Sequence, residues 1–112
     1  MKKTKRQLAI AALAAVSLPA GVAEGRVAFA TCYNLTGITA SGYPVSKRTA
    51  AHNFLRAGTK FTIYGSQAGP GGVRKYIVRD TAPALADGHF DLWNDGPCMW
   101  WGWRKIYYRL GW

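Results

Sequence analysis

Apolar and polar positions in this chain alternate over short runs and do not recur with a helical period. Lys60 to Tyr64, KFTIY, alternates over its length and stops at Gly65, the pattern of a strand closed by a turn. Arg74 to Arg79, RKYIVR, reads as the next strand. Between them Gln67 to Val73, QAGPGGV, is a loop built on Gly-Pro-Gly-Gly, so a hairpin is the simplest pairing. Ala30 to Leu35 and Ile106 to Leu110 are further strand candidates. In HFDLW, an extended backbone puts Phe90 and Leu92 on the core face and His89, Asp91 and Trp93 on the other. No window holds a 3.6-residue apolar period over three turns, and Thr49 to Leu55 is expected to form a single turn. Short strands and thirteen glycines predict an all-β domain, a small and mostly antiparallel barrel. The chain has no repeats and no internal linker.

The N-terminus changes where such a domain would work. Lys2, Lys3, Lys5 and Arg6 precede an apolar run from Leu8 to Leu18, then Pro19 and small residues, the three parts of an export signal. Residues 1–30 are expected to be the signal and 31–112 the single mature domain. The preferred cut follows Ala28-Phe29-Ala30, and a cut after Ala23 is the alternative. The apolar run is too short for a spanning helix of about 20 residues, so no stable membrane span is expected and the mature protein should be periplasmic or secreted. An oxidising compartment gives the chain's two cysteines one intramolecular pairing, Cys32 with Cys98. The mature length suffices for one small domain, expected to be a monomer.

Charge then narrows the partner. Beyond residue 30, ten lysines and arginines face four aspartates, Asp80, Asp87, Asp91 and Asp95, a net charge of +6. Two of those carboxylates fall in one polar stretch, Val78 to Trp93. A basic surface around a concentrated acidic site suggests an anionic polymer held by the surface and worked on by a carboxylic acid. Asp91 lies among aromatic and apolar neighbours that would raise its pKa and suit it to general acid work; an exposed or salt-bridged strand residue is the plainer reading. Asp80 either shares that site or caps an Asx-type turn before Thr81. Asp87-Gly88 and Asp95-Gly96 read as turns. His52 could share a proton with a carboxylate or serve as a local hydrogen-bonding residue, and His89 is explained by its aromatic and glycine neighbours. The histidine and aspartate spacing matches no compact metal motif, and nothing calls for a cofactor.

All five tryptophans lie in the last twenty residues. Trp93, Trp100 and Trp101, with Tyr43 and Arg104, are candidates for holding a sugar polymer by stacking and hydrogen bonding; core and rim packing is the alternative for each ring. Aromatics beside cations also suit nucleic acid, but the export signal argues against that partner.

Several short words, taken in order, resemble a known superfamily. Thr39-Ala40-Ser41-Gly42, Thr49-Ala50-Ala51-His52, Leu55 and Gly58-Thr59 resemble the opening of rare lipoprotein A domains. Asp80 before a proline-containing turn, and Asp91 in HFDL, continue the likeness, which is shared with expansins and with the three-aspartate domain of lytic transglycosylases. The resemblance implies a six-stranded double-psi β-barrel with an open polysaccharide groove. It also implies that Asp91 protonates a glycosidic oxygen, that Asp80 supports it and that His52 belongs to the site, the partner being peptidoglycan or another wall polysaccharide. Expansins keep the carboxylate pair and loosen or bind polysaccharide without clear hydrolysis, so a binding module is the second reading. The chain departs from the pattern at Arg56, where proline is expected after Leu55, at Thr81-Ala82 after Asp80, at Tyr43-Pro44-Val45-Ser46, where acidic residues are expected, and near Ala51, where the three-aspartate pattern has its first aspartate.

Overall fold

The computed structural model describes residues 25–82 and 88–112. Six strands, β1 (Arg26–Tyr33), β2 (Thr49–His52), β3 (Lys60–Tyr64), β4 (Lys75–Thr81), β5 (Phe90–Trp93) and β6 (Arg104–Leu110), form the domain. They close into a barrel in the order β1-β5-β2-β4-β3-β6. This is the all-β barrel that the alternation predicts, with the six strands that the resemblance implies. Its pairing is mixed: β1 with β5 and β2 with β4 run parallel, while the other four pairs are antiparallel. That arrangement is consistent with a double-psi type of barrel in general. No helix among the described residues is long and apolar enough to cross a membrane.

Small residues on some strands make room for large rings from others. Ala28 and Ala30 of β1 and Ala50 of β2 face inward, and the space they leave is filled by Phe61, Phe90, Tyr76 and Tyr108. Phe61 stacks on Phe90 with centroids 4.3 Å apart, and Phe90 meets Tyr108 edge-on at 5.0 Å. Such offset and edge-to-face contacts are the arrangements that the ring quadrupole favours. The expected hairpin forms, with β3 antiparallel to β4. Its loop holds a 3₁₀ turn at Pro70–Gly72, and Gly69 must lack a side chain because a Cβ there would run into the Tyr76 hydroxyl.

Two expectations are corrected. Thr49 to His52 is a strand and not a turn, and every residue in it is buried. Paired on both sides and covered on both faces, β2 shows no alternation for the sequence to reveal. The first strand starts at Arg26, four residues before Ala30, and ends at Tyr33. Its first half pairs with β6 and its second half with β5. The disulfide between Cys32 and Cys98, 66 residues apart, ties the end of β1 to the segment after β5. That segment is further pinned by Asn94 N–H donating to Tyr33 O and by the Asn34 amide donating to Gly96 O. Asp87 and residues 1–24, which hold most of the expected export signal of residues 1–30, lie outside the described residues.

Candidate functional site

The site is built on the outer face of β1. Ala28 and Ala30 point inward, so Phe29, Thr31 and Tyr33 project outward in one row. Each meets a different part of the site. Thr31 lies opposite Asp91 in the parallel β1–β5 register, and its hydroxyl donates to Asp91 Oδ1 at 2.9 Å. A hydroxyl has one proton to give. While Asp91 is a carboxylate that proton is committed to it, so the 3.1 Å contact with His89 Nε2 is then one in which the imidazole N–H donates. The His89 ring is buried edge-on against Trp103, 4.5 Å between centroids, and Trp103 lies against Phe29 at 5.8 Å. Aromatic surface thus runs without a break up to the Thr31–Asp91 pair.

Asp80 reaches the same face through an irregularity in β4. Ala50 pairs with Val78, but Ala51 pairs with Asp80, leaving Arg79 as an extra residue. Tyr76 and Val78 point into the core, and strict alternation would send Asp80 in after them. The bulge reverses that phase and turns Asp80 outward. Asp91 lies opposite Ala51 across the antiparallel β2–β5 pair. One small residue on the central strand is therefore flanked by the two carboxylates. Asp80 Oδ1 accepts from the backbone N–H groups of Ala40 and Thr81 at 3.1 and 3.0 Å, and Oδ2 faces the Tyr33 hydroxyl at 3.4 Å. The Thr81 bond is the expected turn cap; the other two go beyond it. The Ala40 bond comes from the Thr-Ala-Ser-Gly loop, which Thr39 braces by donating twice to Tyr43 O. Ser41 N–H reaches Arg79 O at 3.1 Å, and the Arg79 guanidinium covers the Tyr43 ring at 3.8 Å.

The electrostatics separate the groups. Burial raises the Asp91 carboxyl above its ordinary range; the Thr31 bond and His89 work against that rise, and the Asp80 charge adds to it. Tyr33 is raised by burial first and then by the charges of both Asp80 and Asp91, as expected for a phenol lying between two carboxylates. His89 is lowered by burial, which outweighs the opposing pull of Asp91. A histidine lowered and a phenol raised by burial thus lie beside a carboxyl that burial shifts upward, the direction that suits general acid work.

His52 stands apart. It lies opposite Phe90 in the β2–β5 register, and its ring packs on Phe90 and Phe54 at 4.6 and 4.7 Å. Its Nδ1 accepts from the Phe54 and Leu55 backbone N–H groups at 3.2 Å each, so the chain after β2 turns on it. The proton then sits on Nε2, which is buried without a partner among the described residues. Burial and, less strongly, His89 keep the ring neutral. Neither Asp80 nor Asp91 is hydrogen-bonded to it.

The aromatic candidates divide by burial. Trp93 and Trp101 are buried, Trp93 donating to Leu35 O at 2.7 Å and Trp101 packing into the core. Trp100 is 61% exposed, and Tyr43 is exposed as well. Arg104 donates to Trp101 O at 2.8 Å and lies over both the Trp100 and Trp101 rings, which makes it a spacer between a core ring and a surface ring. Thr31, Tyr33 and Phe29 escaped the sequence reading, and Trp103 entered it only as one of the five tryptophans. The period-two run Phe29, Thr31, Tyr33 was the available signal, and it is obscured when the mature chain is taken to begin at Thr31. Among the described residues no group of three or more histidine, cysteine, aspartate or glutamate side chains is placed to hold a metal ion.

No protein-family model matches the chain, and no curated protein matches it either.

Proposed function

We propose that this barrel acts on peptidoglycan glycan strands as a lytic-transglycosylase-like enzyme, with Asp91 as the acid and base. The observation that carries the reading is the Asp91 carboxyl, half-buried, raised by desolvation and turned to the same face as Asp80. Protonated Asp91 gives its proton to the glycosidic oxygen as the bond to C1 breaks. The resulting carboxylate then takes the proton of the muramic 6-hydroxyl as that oxygen bonds to C1, closing an anhydro ring. No water is consumed, and one carboxyl serves both steps. Asp80, held by the Ala40 and Thr81 amides, is placed to support the developing positive sugar. His52 shapes the turn after β2 and keeps the β2–β5 pair in register. Export, by the N-terminal signal, would bring the domain to the wall.

A second reading is favoured by the exposed aromatic run of Phe29 and Trp103 beside Asp91. Rings of this kind stack on sugar faces, and a domain that grips the strand through them without cutting it would be an expansin-like wall-binding module.

The test is incubation of the oxidised domain with intact sacculi and with peptide-stripped glycan strands, soluble products being read by mass spectrometry. Anhydromuramyl ends are expected from the native protein, with Asp91→Asn reducing them at least about 100-fold. Retention on the strands with no new ends from either substrate would leave the binding module.

A further inference from the structure

The outer face of β2 and β4 does not end at the carboxylates. It continues into an open groove of about 430 Å³ floored by Thr49 and Ile77 and walled by Lys47, Arg48, Arg79 and Trp112. A second depression of about 410 Å³ shares Lys47 and Arg48 and extends the groove to Arg74 and Lys75. No aspartate or glutamate is among the described residues that line either part. Arg79 belongs both to the groove and to the bulge that delivers Asp80, so the two sites are continuous.

Among the described residues, Arg48 and Arg74 are held in place without a carboxylate partner. Trp112 donates its indole N–H to Tyr76 O at 3.2 Å, which fixes the ring. Arg48 and Lys60 lie over that ring at 5.2 and 4.5 Å. A cation on an aromatic face loses conformational freedom but keeps its full charge. The Arg74 guanidinium donates to a backbone carbonyl, Ile63 O at 3.2 Å, which orients it with equal effect. Two ordered arginines beside Lys47 and Lys75, in one open groove with no carboxylate among the described residues that line it, call for a ligand with repeated negative charge.

We infer that this groove is a binding site for an acidic polysaccharide, whose charged groups sit along Lys47, Arg48, Arg74 and Lys75 while the chain passes Arg79 toward Asp80. The charge is a carboxylate or a phosphodiester, both of which an arginine fork accepts in bidentate fashion. Nucleic acid fits less well. Single strands are gripped through successive exposed rings on which bases stack, whereas the single ring here, Trp112, is engaged by Arg48 and Lys60. The disulfide also points to an oxidising compartment, where nucleic acid is not the usual polyanion. The inference reaches past the cleavage reading and stands on binding alone, so a barrel that cuts nothing can still bear it out.

The test titrates the full oxidised protein with fluorescent polygalacturonate, phosphomannan (a phosphodiester-bearing polysaccharide), neutral dextran and a single-stranded oligonucleotide, at low and high salt. At least one of the two acidic polymers is expected to bind more tightly than dextran and the oligonucleotide and to weaken with salt; the tighter of the two identifies the source of charge. Lys47→Ala/Arg48→Ala should weaken that binding by about tenfold or more. Lys105→Ala/Arg109→Ala, the same charge loss on β6 across the barrel, should leave it within about twofold. Thermal melts check that both doubles are folded, and exposed Lys47→Glu alone replaces the groove double if that variant melts early. Equal loss in both doubles, a tighter oligonucleotide complex, or failure of both acidic polymers to bind would overturn the inference.

Discussion

Thr31 has the most consequential side chain that is not itself acidic. Its single hydroxyl proton stabilises the charged form of Asp91, and its lone pairs hold the His89 N–H. Valine is nearly the same size and makes neither bond. Removing the donor takes away the main influence that opposes the burial of Asp91, so the carboxyl should keep its proton to higher pH. The general acid is active when protonated. Thr31→Val is therefore expected to shift the alkaline limb of the product-release profile to higher pH, as measured by anhydro ends against pH; an unmoved limb would mean that Thr31 does not govern this proton. Stability carries the same sign. A carboxyl raised in the folded state stabilises it fully below the ordinary value of 3.8 and loses that contribution as pH rises through the folded value. Asp91 in its charged form thus costs the fold something, as a residue kept for chemistry commonly does.

At the level of strands, the sequence was informative where one face is wet and silent where both are covered. KFTIY and HFDLW alternate visibly in residue type, and Lys60–Tyr64 and Phe90–Trp93 are strands with Phe61, Ile63, Phe90 and Leu92 inward. Loops cover part of their outer faces, where Thr62 and Trp93 are buried as well. Thr49 to His52 lies between β4 and β5 and gives no alternation, so its strand and the inward turn of His52 were hidden. Asp80 was legible as a candidate, but the direction of its side chain depends on one extra residue in β4, and no local pattern marks that bulge. Strand β1 was read late because the small residues at Ala28 and Ala30 suit a signal cleavage site and a barrel interior equally well. A cut after Ala30 divides β1 and removes the stretch that pairs with β6, whereas a cut after Ala23 leaves it whole. Sequencing of the exported protein is accordingly expected to give Glu24 as the first residue. Thr31 in that position would require β6 to stand without its β1 partner.

For the molecule as a whole, the disulfide joins the first strand to the segment that carries Trp101 into the core. A loop of that length, closed in the unfolded state, contributes on the order of 3–5 kcal/mol to a small domain. Cys32→Ser/Cys98→Ser is expected to lower the unfolding free energy by about that amount, measured by urea denaturation, and reduction of the native protein should do the same. The barrel seam has a further consequence, for synthesis. Among the described strands, β1 pairs with β5 and β6, the two that come latest in the sequence. Until they emerge, the N-terminal segment has nothing native to pair with, and the chain stays open however long it waits. If the chain is exported as an extended thread, as the proposed signal implies, that delay is an advantage, because the topology withholds the finished barrel until β5 and β6 are available.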